Sequence, residues 1–231
     1  MPSPTKFSAI AFVVAGAGIS TFAGMDVVMK SLSLSLGAYN AMLWRSLISV
    51  SLAGLLYLMW RPAWPAADVI RLHLWRGFII SIMAFLFFWG LKYLPVAEAI
   101  DLSFIAPLLA LYLAAVILKE NIGKQAIAAS VIGLVGAAII VSGRLGGNYE
   151  EETGKGIAAI LLSAVLYAYN IILQRQQALL AGPVEIAFFQ NSTIIVLFAS
   201  LSPFFAQVPA IGVVPMLAAA AVLGLVSLMM M

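Results

Sequence analysis

Arg45 places a permanent positive charge inside an apolar stretch of the sequence. Between Ala41 and Trp60 it is the only charged residue. A guanidinium offers five N–H donors in a fixed planar fork, which suits the binding of a carboxylate or another anionic group. In a helix that crosses a membrane such a charge costs on the order of 3 kcal/mol, so we expect it to face a carboxylate or a water-filled cavity.

Three carboxylates interrupt neighbouring apolar stretches, at Asp26, Glu98 and Asp101. We expect Arg45 to pair with Asp101 or Asp26 in a polar cavity that opens toward the outer side of a membrane. Such a cavity could bind a charged or zwitterionic solute, and its carboxylates could carry a coupling proton. Two simpler explanations stay open. Asp26 lies four residues before Lys30, a helical spacing at which the two could pair, and Glu98 could be a solvated residue at a helix start.

Polar and aromatic residues further along the chain extend this candidate site. Gln190 and Asn191 lie in an apolar stretch of the second half, and Trp89 and Tyr169 could line the same cavity. Alternatively, the amides hydrogen-bond neighbouring helices and the rings lie at the membrane interface. Pro107 interrupts the stretch FIAPLLALYL, where it frees a backbone carbonyl and kinks a helix, either for gating or as a static bend.

The composition indicates what surrounds these residues. Hydrophobic residues make up 64% of the 231 residues, charged residues make up 9%, and the mean hydropathy is +1.11. Eight apolar runs are long enough for a helix to cross a bilayer. They lie near 7–29, 38–60, 73–92, 95–118, 125–143, 156–176, 184–206 and 212–231. The sequence therefore predicts an all-α polytopic membrane protein with eight transmembrane helices in a lipid bilayer.

Scarce residue types exclude several chemistries. The sequence has no cysteine and a single histidine, His73, which we place in the polar connection between the second and third runs. That excludes disulfides and Cys/His metal clusters, so we expect no metal and no cofactor. The net charge is +3, but the basic residues are spread over many short connections, so no nucleic acid partner is expected.

The basic residues instead predict the orientation in the membrane. With the N-terminus inside, seven of them fall on the inner side and four on the outer side, which favours a cytoplasmic N-terminus. The inner set is Lys6, Arg61, Arg71, Arg76, Lys119, Lys124 and Arg175, and the outer set is Lys30, Lys92, Arg144 and Lys155.

The chain repeats itself weakly on either side of a polar connection. SAIAFVVAGAGISTFAG aligns with GKGIAAILLSAVLYAYN, and AMLWRSLISV aligns with AFFQNSTIIV, which sets Arg45 opposite Asn191. Five helices precede the connection, so a second copy that begins outside is inverted. We predict a first repeat at 1–145, an external loop at 146–155, and a second, inverted repeat at 156–231 with three of its five helices.

Several motifs occur in an order that resembles a known family. MDVVMKSLS and AMLWRSL are followed by FFWGLKYLPVAEAIDLSFIAPLLALYLAAVILKENIGKQAIAASVIGLVGAAIIVSG. Together they resemble the EamA-type family of the drug/metabolite transporter superfamily. The pattern of Asp26, Lys30 and Arg45 resembles the branch that includes S-adenosylmethionine and riboflavin-type carriers. The resemblance implies ten helices in two inverted five-helix repeats, of which the last two are missing here, and a structural role for Glu120 at the inner end of the fourth helix.

The function that this resemblance implies is secondary transport. We expect a permease of a bacterial-type inner membrane that moves a small polar metabolite by alternating access. Arg45 and Asp101 from one half, with Tyr169, Gln190 and Asn191 from the other, are expected to hold the substrate near the repeat interface. A coupling proton and a homodimer are compatible with this interpretation. The alternative is a non-transporting, truncated or structural membrane protein; an enzyme is not expected, since no catalytic constellation is evident.

Overall fold

The computed structural model describes residues 4–60, 64–119, 123–145 and 151–230, and within these ranges the chain is mostly helical, with no strand. The helices are α1 (Pro4–Trp60), α2 (Ala67–Gly90), α3 (Val96–Ser103), α4 (Ile105–Ile117), α5 (Lys124–Leu145), α6 (Glu151–Ala178), α7 (Pro183–Ser200), α8 (Ser202–Phe205) and α9 (Val214–Met230). A short 3-10 helix, Ile211–Val213, precedes α9. The predicted all-α class is confirmed.

Helix α1 is a hairpin of two antiparallel arms. Gly37 interrupts it with φ 78° and ψ 151°, a backbone conformation that is essentially restricted to glycine. Nη1 of Arg45 lies 3.7 Å from Sδ of Met25. Residues this far apart would be separated by about 30 Å in a straight helix, so the chain must fold back at Gly37. We call residues 4–36 the first arm and residues 38–60 the second arm.

The apolar helices have the lengths that a bilayer requires. Six segments of the described ranges are long and apolar enough to cross a membrane: Phe12–Trp60, Ala67–Gly90, Val96–Ile117, Glu152–Ala178, Pro183–Ser200 and Ile211–Met230. The first has 49 residues and contains parts of both arms. The polytopic membrane class is therefore confirmed, while the number of eight crossings and the inverted repeats stay predictions.

The helices divide into two compact units, of which unit 1 comprises Met1–His73 and Ala181–Met231. In unit 1, α7 runs antiparallel to the second arm. Tyr39 near the start of the arm packs against Phe198 near the end of α7, with ring centroids 5.3 Å apart. Tyr57 near the end of the arm stacks on Phe188 near the start of α7 at 4.9 Å.

Helix α9 completes unit 1. The hydroxyl of Ser227 donates a hydrogen bond to the carbonyl of Gly18 on the first arm at 2.9 Å. Ala53 of the second arm, Ala187 of α7 and Leu225 of α9 form a shared buried core. Small residues at these contacts let the helix backbones approach closely, which is how apolar helices gain packing energy in lipid.

Unit 2 comprises Leu74–Leu180. A buried alanine cluster joins α4 to α6, with Ala106 and Ala110 facing Ala164 and Ala168. Each pair is spaced by four residues and so forms one stripe on its helix. These stripes bring the backbones of α4 and α6 close together.

In unit 2, α6 also packs antiparallel to α2. The hydroxyl of Ser163 donates to the carbonyl of Met83 at 2.9 Å. Near the end of α2, a Cβ added at Gly90 would lie 2.8 Å from the side chain of Ile160. The two helices therefore pack closely at a position where glycine has no side chain. Helix α6 begins at Glu151, five residues before the predicted second repeat, and residues 146–150 of the predicted loop lie outside the described ranges.

Candidate functional site

Arg45 and Asp26 are buried residues of opposite charge in unit 1. Arg45 is 8% exposed and Asp26 is 5% exposed. Asp26 follows Met25, whose sulfur contacts the guanidinium, and its charge interacts with that of Arg45. The turn at Gly37 produces this arrangement, because it returns the second arm along the first.

Gly224 on α9 makes room for the guanidinium. A side chain added at this glycine would place its Cβ 3.2 Å from Nη1 of Arg45 and 3.0 Å from Sδ of Met25. Both distances are shorter than an ordinary van der Waals contact. Three helical segments, the two arms and α9, therefore meet around the Arg45 guanidinium.

Several polar atoms near Arg45 in sequence are buried without a hydrogen-bond partner in the described part of the chain. They are Nε of Arg45 itself and the hydroxyls of Ser46 and Ser49, which lie within one turn of it on the second arm. Oε1 of Gln190 on α7 is also buried and has no hydrogen-bond partner among the described residues. Leaving a buried polar group unsatisfied costs about 1–3 kcal/mol. These atoms can therefore gain hydrogen bonds from a polar solute.

The other predicted site residues of unit 1 lie on the first arm and on α7. Lys30 is half-buried, one turn after Asp26. Asn191 is buried, and its Nδ2 donates to the carbonyl of Ala187 on its own helix at 2.8 Å. One of its amide donors is thus satisfied locally.

The remaining predicted site residues lie in unit 2. Asp101 is half-buried in α3, so the carboxylate beside Arg45 within unit 1 is that of Asp26. Trp89 packs edge-on against Tyr93 at 5.0 Å. The hydroxyl of Tyr169 accepts a hydrogen bond from Nε1 of Trp75 at 3.1 Å. Glu120 lies outside the described residues.

Pro107 coincides with a break between two helices. Helix α3 ends at Ser103 and α4 begins at Ile105. Proline has no N–H, so Pro107 cannot bond the carbonyl of Ser103 four residues earlier, where a continuous helix would need it. The expected kink therefore takes the form of a short interruption at Phe104.

His73 is not in a polar connection, and that interpretation was wrong. Helix α2 begins at Ala67, so His73 is inside a helix, and it is 1% exposed. Its Nε2 lies 3.1 Å from Oε1 of Glu185 on α7. The ring stacks on Phe189 at 4.8 Å, and the ring of Trp64 packs edge-on against the same phenylalanine. A buried His–Glu pair thus joins α2 to α7 within unit 1.

Arg76, which we counted among the basic residues of the inner side, is buried. Its Nε donates to Oδ1 of Asn170 at 2.9 Å, and its Nη1 donates to Oε1 of Gln177. Asn170 and Gln177 lie seven residues apart on α6, which places them two turns apart on one face. That spacing of amides in an apolar helix was the signal available in the sequence, but it does not reveal which residue they face.

The sequence is similar to a known family of membrane transporters and to individual members of the curated proteins. The model of the EamA-like transporter family matches residues 4–142. Over 171 residues the chain is 27% identical to the pseudopaline exporter CntI of Pseudomonas aeruginosa, from strains UCBPP-PA14 and PAO1. The alignment covers 73% of this chain and 58% of the exporter, so the chain spans little more than half the length of these curated relatives.

A solved structure shares the fold. The crystal structure of another protein superimposes with a TM-score of 0.61 and covers 93% of this chain and 79% of that one. Its 19% sequence identity supports a common fold and nothing more specific. The family model, in contrast, matches more than half of the sequence, from the first arm into α5. This chain belongs to the EamA-like transporter family.

Proposed function

We propose that the chain is a secondary transporter that moves a small polar metabolite across the cytoplasmic membrane by alternating access. Membership of a transporter family supports the general activity. The observation that supports a polar substrate is the Arg45 site. In an apolar span, the buried charges of Asp26 and Arg45 are accompanied by polar atoms on the second arm that have no hydrogen-bond partner among the described residues. Intramembrane charges of this kind usually mark the path of a substrate or ion.

The solute interacts with the second arm in this proposal. Nε of Arg45 donates a hydrogen bond to it, and the hydroxyls of Ser46 and Ser49 supply a donor or an acceptor each. Asp26 limits the net charge of the site and is the group that carries a coupling proton. The name of the related exporter favours outward transport. The excess of basic residues on the inner connections favours a cytoplasmic N-terminus.

An export assay tests this function. Bacterial cells that produce the chain are compared with cells that carry the empty vector, and polar metabolites are quantified by mass spectrometry in the cells and in the medium. We expect at least one metabolite to move from cells to medium with the wild-type chain. Arg45→Ala should reduce that transfer about tenfold or more, since a hydrogen bond to a charged group is worth about 1.5–3 kcal/mol.

Arg71→Ala is the matched control, because Arg71 is an exposed arginine near the start of α2. It should export like the wild type when the two variants are present in the membrane in equal amounts. If wild-type cells and vector cells have the same metabolite distribution, the chain is a non-transporting membrane protein. If a metabolite is converted rather than redistributed, the activity is enzymatic and the transport proposal is wrong.

A further inference from the structure

Arg76 is a buried cation with no ion-pair partner among the residues that the structure describes. It is 3% exposed, and its two hydrogen-bond acceptors, Asn170 and Gln177, are neutral amides. Within the described ranges no carboxylate lies within ion-pair distance of it. Arg45 differs, because its charge interacts with that of Asp26 in the same unit.

Part of the guanidinium remains available for a ligand. A guanidinium has five N–H groups, and Asn170 and Gln177 take one each, from Nε and Nη1. The other three, including both on Nη2, have no acceptor among the residues that the structure describes. The two amides hold the guanidinium in place while these donors are left unused.

A purely structural clamp between α2 and α6 would not require the charge. A neutral donor could bond the same two amide oxygens, whereas a buried ion has an effective desolvation penalty of several kcal/mol unless it is paired. A single planar carboxylate would supply the missing negative charge. It could accept two parallel hydrogen bonds from the unused N–H groups of Nη1 and Nη2. One guanidinium matches the single charge of a carboxylate better than the higher charge of a phosphate.

We propose that Arg76, positioned by Asn170 and Gln177, is a binding site for the carboxylate group of a small organic acid. This inference rests on the proposed transport function, since it assigns a chemical class to the transported solute. The site lies wholly in unit 2, between α2 and α6. It is separate in sequence from the Arg45 site, which belongs to unit 1.

Fluorine NMR with trifluoroacetate as the probe tests the site by binding alone. The full chain is purified in a neutral maltoside detergent, and the linewidth of the probe is compared with that in empty micelles. We expect saturable broadening with the wild-type chain that added acetate reverses. Trifluoroethanol, a neutral molecule of similar size, should not be broadened. Phosphorus NMR with inorganic phosphate should likewise show no broadening that depends on Arg76.

Two variants locate the binding. Arg76→Gln removes the charge, and Asn170→Asp adds a carboxylate beside an intact guanidinium, so each should abolish the excess broadening. The second variant keeps the proposal testable if the first does not fold, because its new ion pair should raise the melting temperature. Arg71→Gln, the same exchange at an exposed position of α2, should bind the probe like the wild type.

Three results would overturn the proposal: wild-type broadening no greater than in empty micelles, broadening that survives in Asn170→Asp, or a loss in Arg71→Gln equal to that in Arg76→Gln. Arg76-dependent binding of phosphate alone would also overturn it. The binding experiment is read separately from the export assay. A chain that binds trifluoroacetate through Arg76 yet moves no metabolite would refute the transport function and leave this site in place.

Discussion

The two buried arginines show how differently a membrane helix can accommodate the same charge. Arg45 has a carboxylate, Asp26, beside it and a glycine, Gly224, against its Nη1. Arg76 has two amides and no described carboxylate. The charge of Asp26 acts on Arg45 from within the same unit, whereas in our proposal a ligand compensates the charge of Arg76.

Gly224→Ala should damage the Arg45 site by filling space. The new Cβ would lie 3.0 Å from Sδ of Met25 and 3.2 Å from Nη1 of Arg45, so both side chains must move. We expect a loss of about 1–3 kcal/mol in the free energy of unfolding, typical of overpacking. Thermal unfolding of the purified chain, followed by tryptophan fluorescence, measures it.

Gly24→Ala is the control for this substitution. Gly24 is also helical, but a Cβ there meets no atom within 4 Å. Its effect should stay within about 1 kcal/mol and favour folding, because alanine has the higher helix propensity. Equal melting temperatures for Gly224→Ala and the wild type would show that the Arg45 site is not tightly packed.

Individual site residues were predictable where a charge interrupts an apolar run. Arg45 and Asp26 stand out in this way, since each lies inside a run that is otherwise apolar. His73 and Arg76 were missed because polar residues just after a proline-rich stretch look the same in a solvated connection and in a helix. Their partners lie about 100 residues away in sequence. A partner at that distance leaves no mark in the local pattern.

At the level of helices, the hairpin of α1 depends on one backbone conformation. Gly37 has φ 78° and ψ 151°, where any side chain would be strained. Gly37→Ala should therefore lower the free energy of unfolding by about 1–3 kcal/mol, although no atom lies within 4 Å of the added Cβ. Denaturation in detergent, monitored by circular dichroism, is the appropriate measurement.

The same exchange at Gly16 provides the comparison. Gly16 is an ordinary helical glycine of the first arm, and the space around it is equally open. Gly16→Ala should be neutral or stabilising. If both substitutions have the same effect, the turn tolerates a side chain and the strain argument is wrong.

The helices themselves were largely predictable, because apolar runs of membrane-spanning length have few alternatives in lipid. The residues at which the helices begin and end were less predictable. The start of α2 was placed too late, since Asp68 and Arg71 made its first turns look like a connection. The interruption at Phe104 was expected as a kink from Pro107, but the sequence does not specify its size.

For the whole molecule, the absence of cysteine offers a direct test of orientation. Ala66 precedes α2 and Ala206 follows α8, and both are exposed. With a cytoplasmic N-terminus, Ala66→Cys should resist a membrane-impermeant maleimide in intact cells, and Ala206→Cys should react. Permeabilised cells should label at both positions. The reverse pattern would invert the orientation, and labelling of both in intact cells would contradict the antiparallel packing of the second arm and α7.

The hairpin of α1 has a consequence for how the chain enters the bilayer during synthesis. An isolated second arm, with Arg45 about a third of the way along it, would have to insert at a cost on the order of 3 kcal/mol. Asp26 leaves the ribosome first, so a carboxylate is already present on the first arm when Arg45 follows. We therefore expect the two arms to leave the translocon together, with the turn at Gly37 formed before the arginine has to be accommodated.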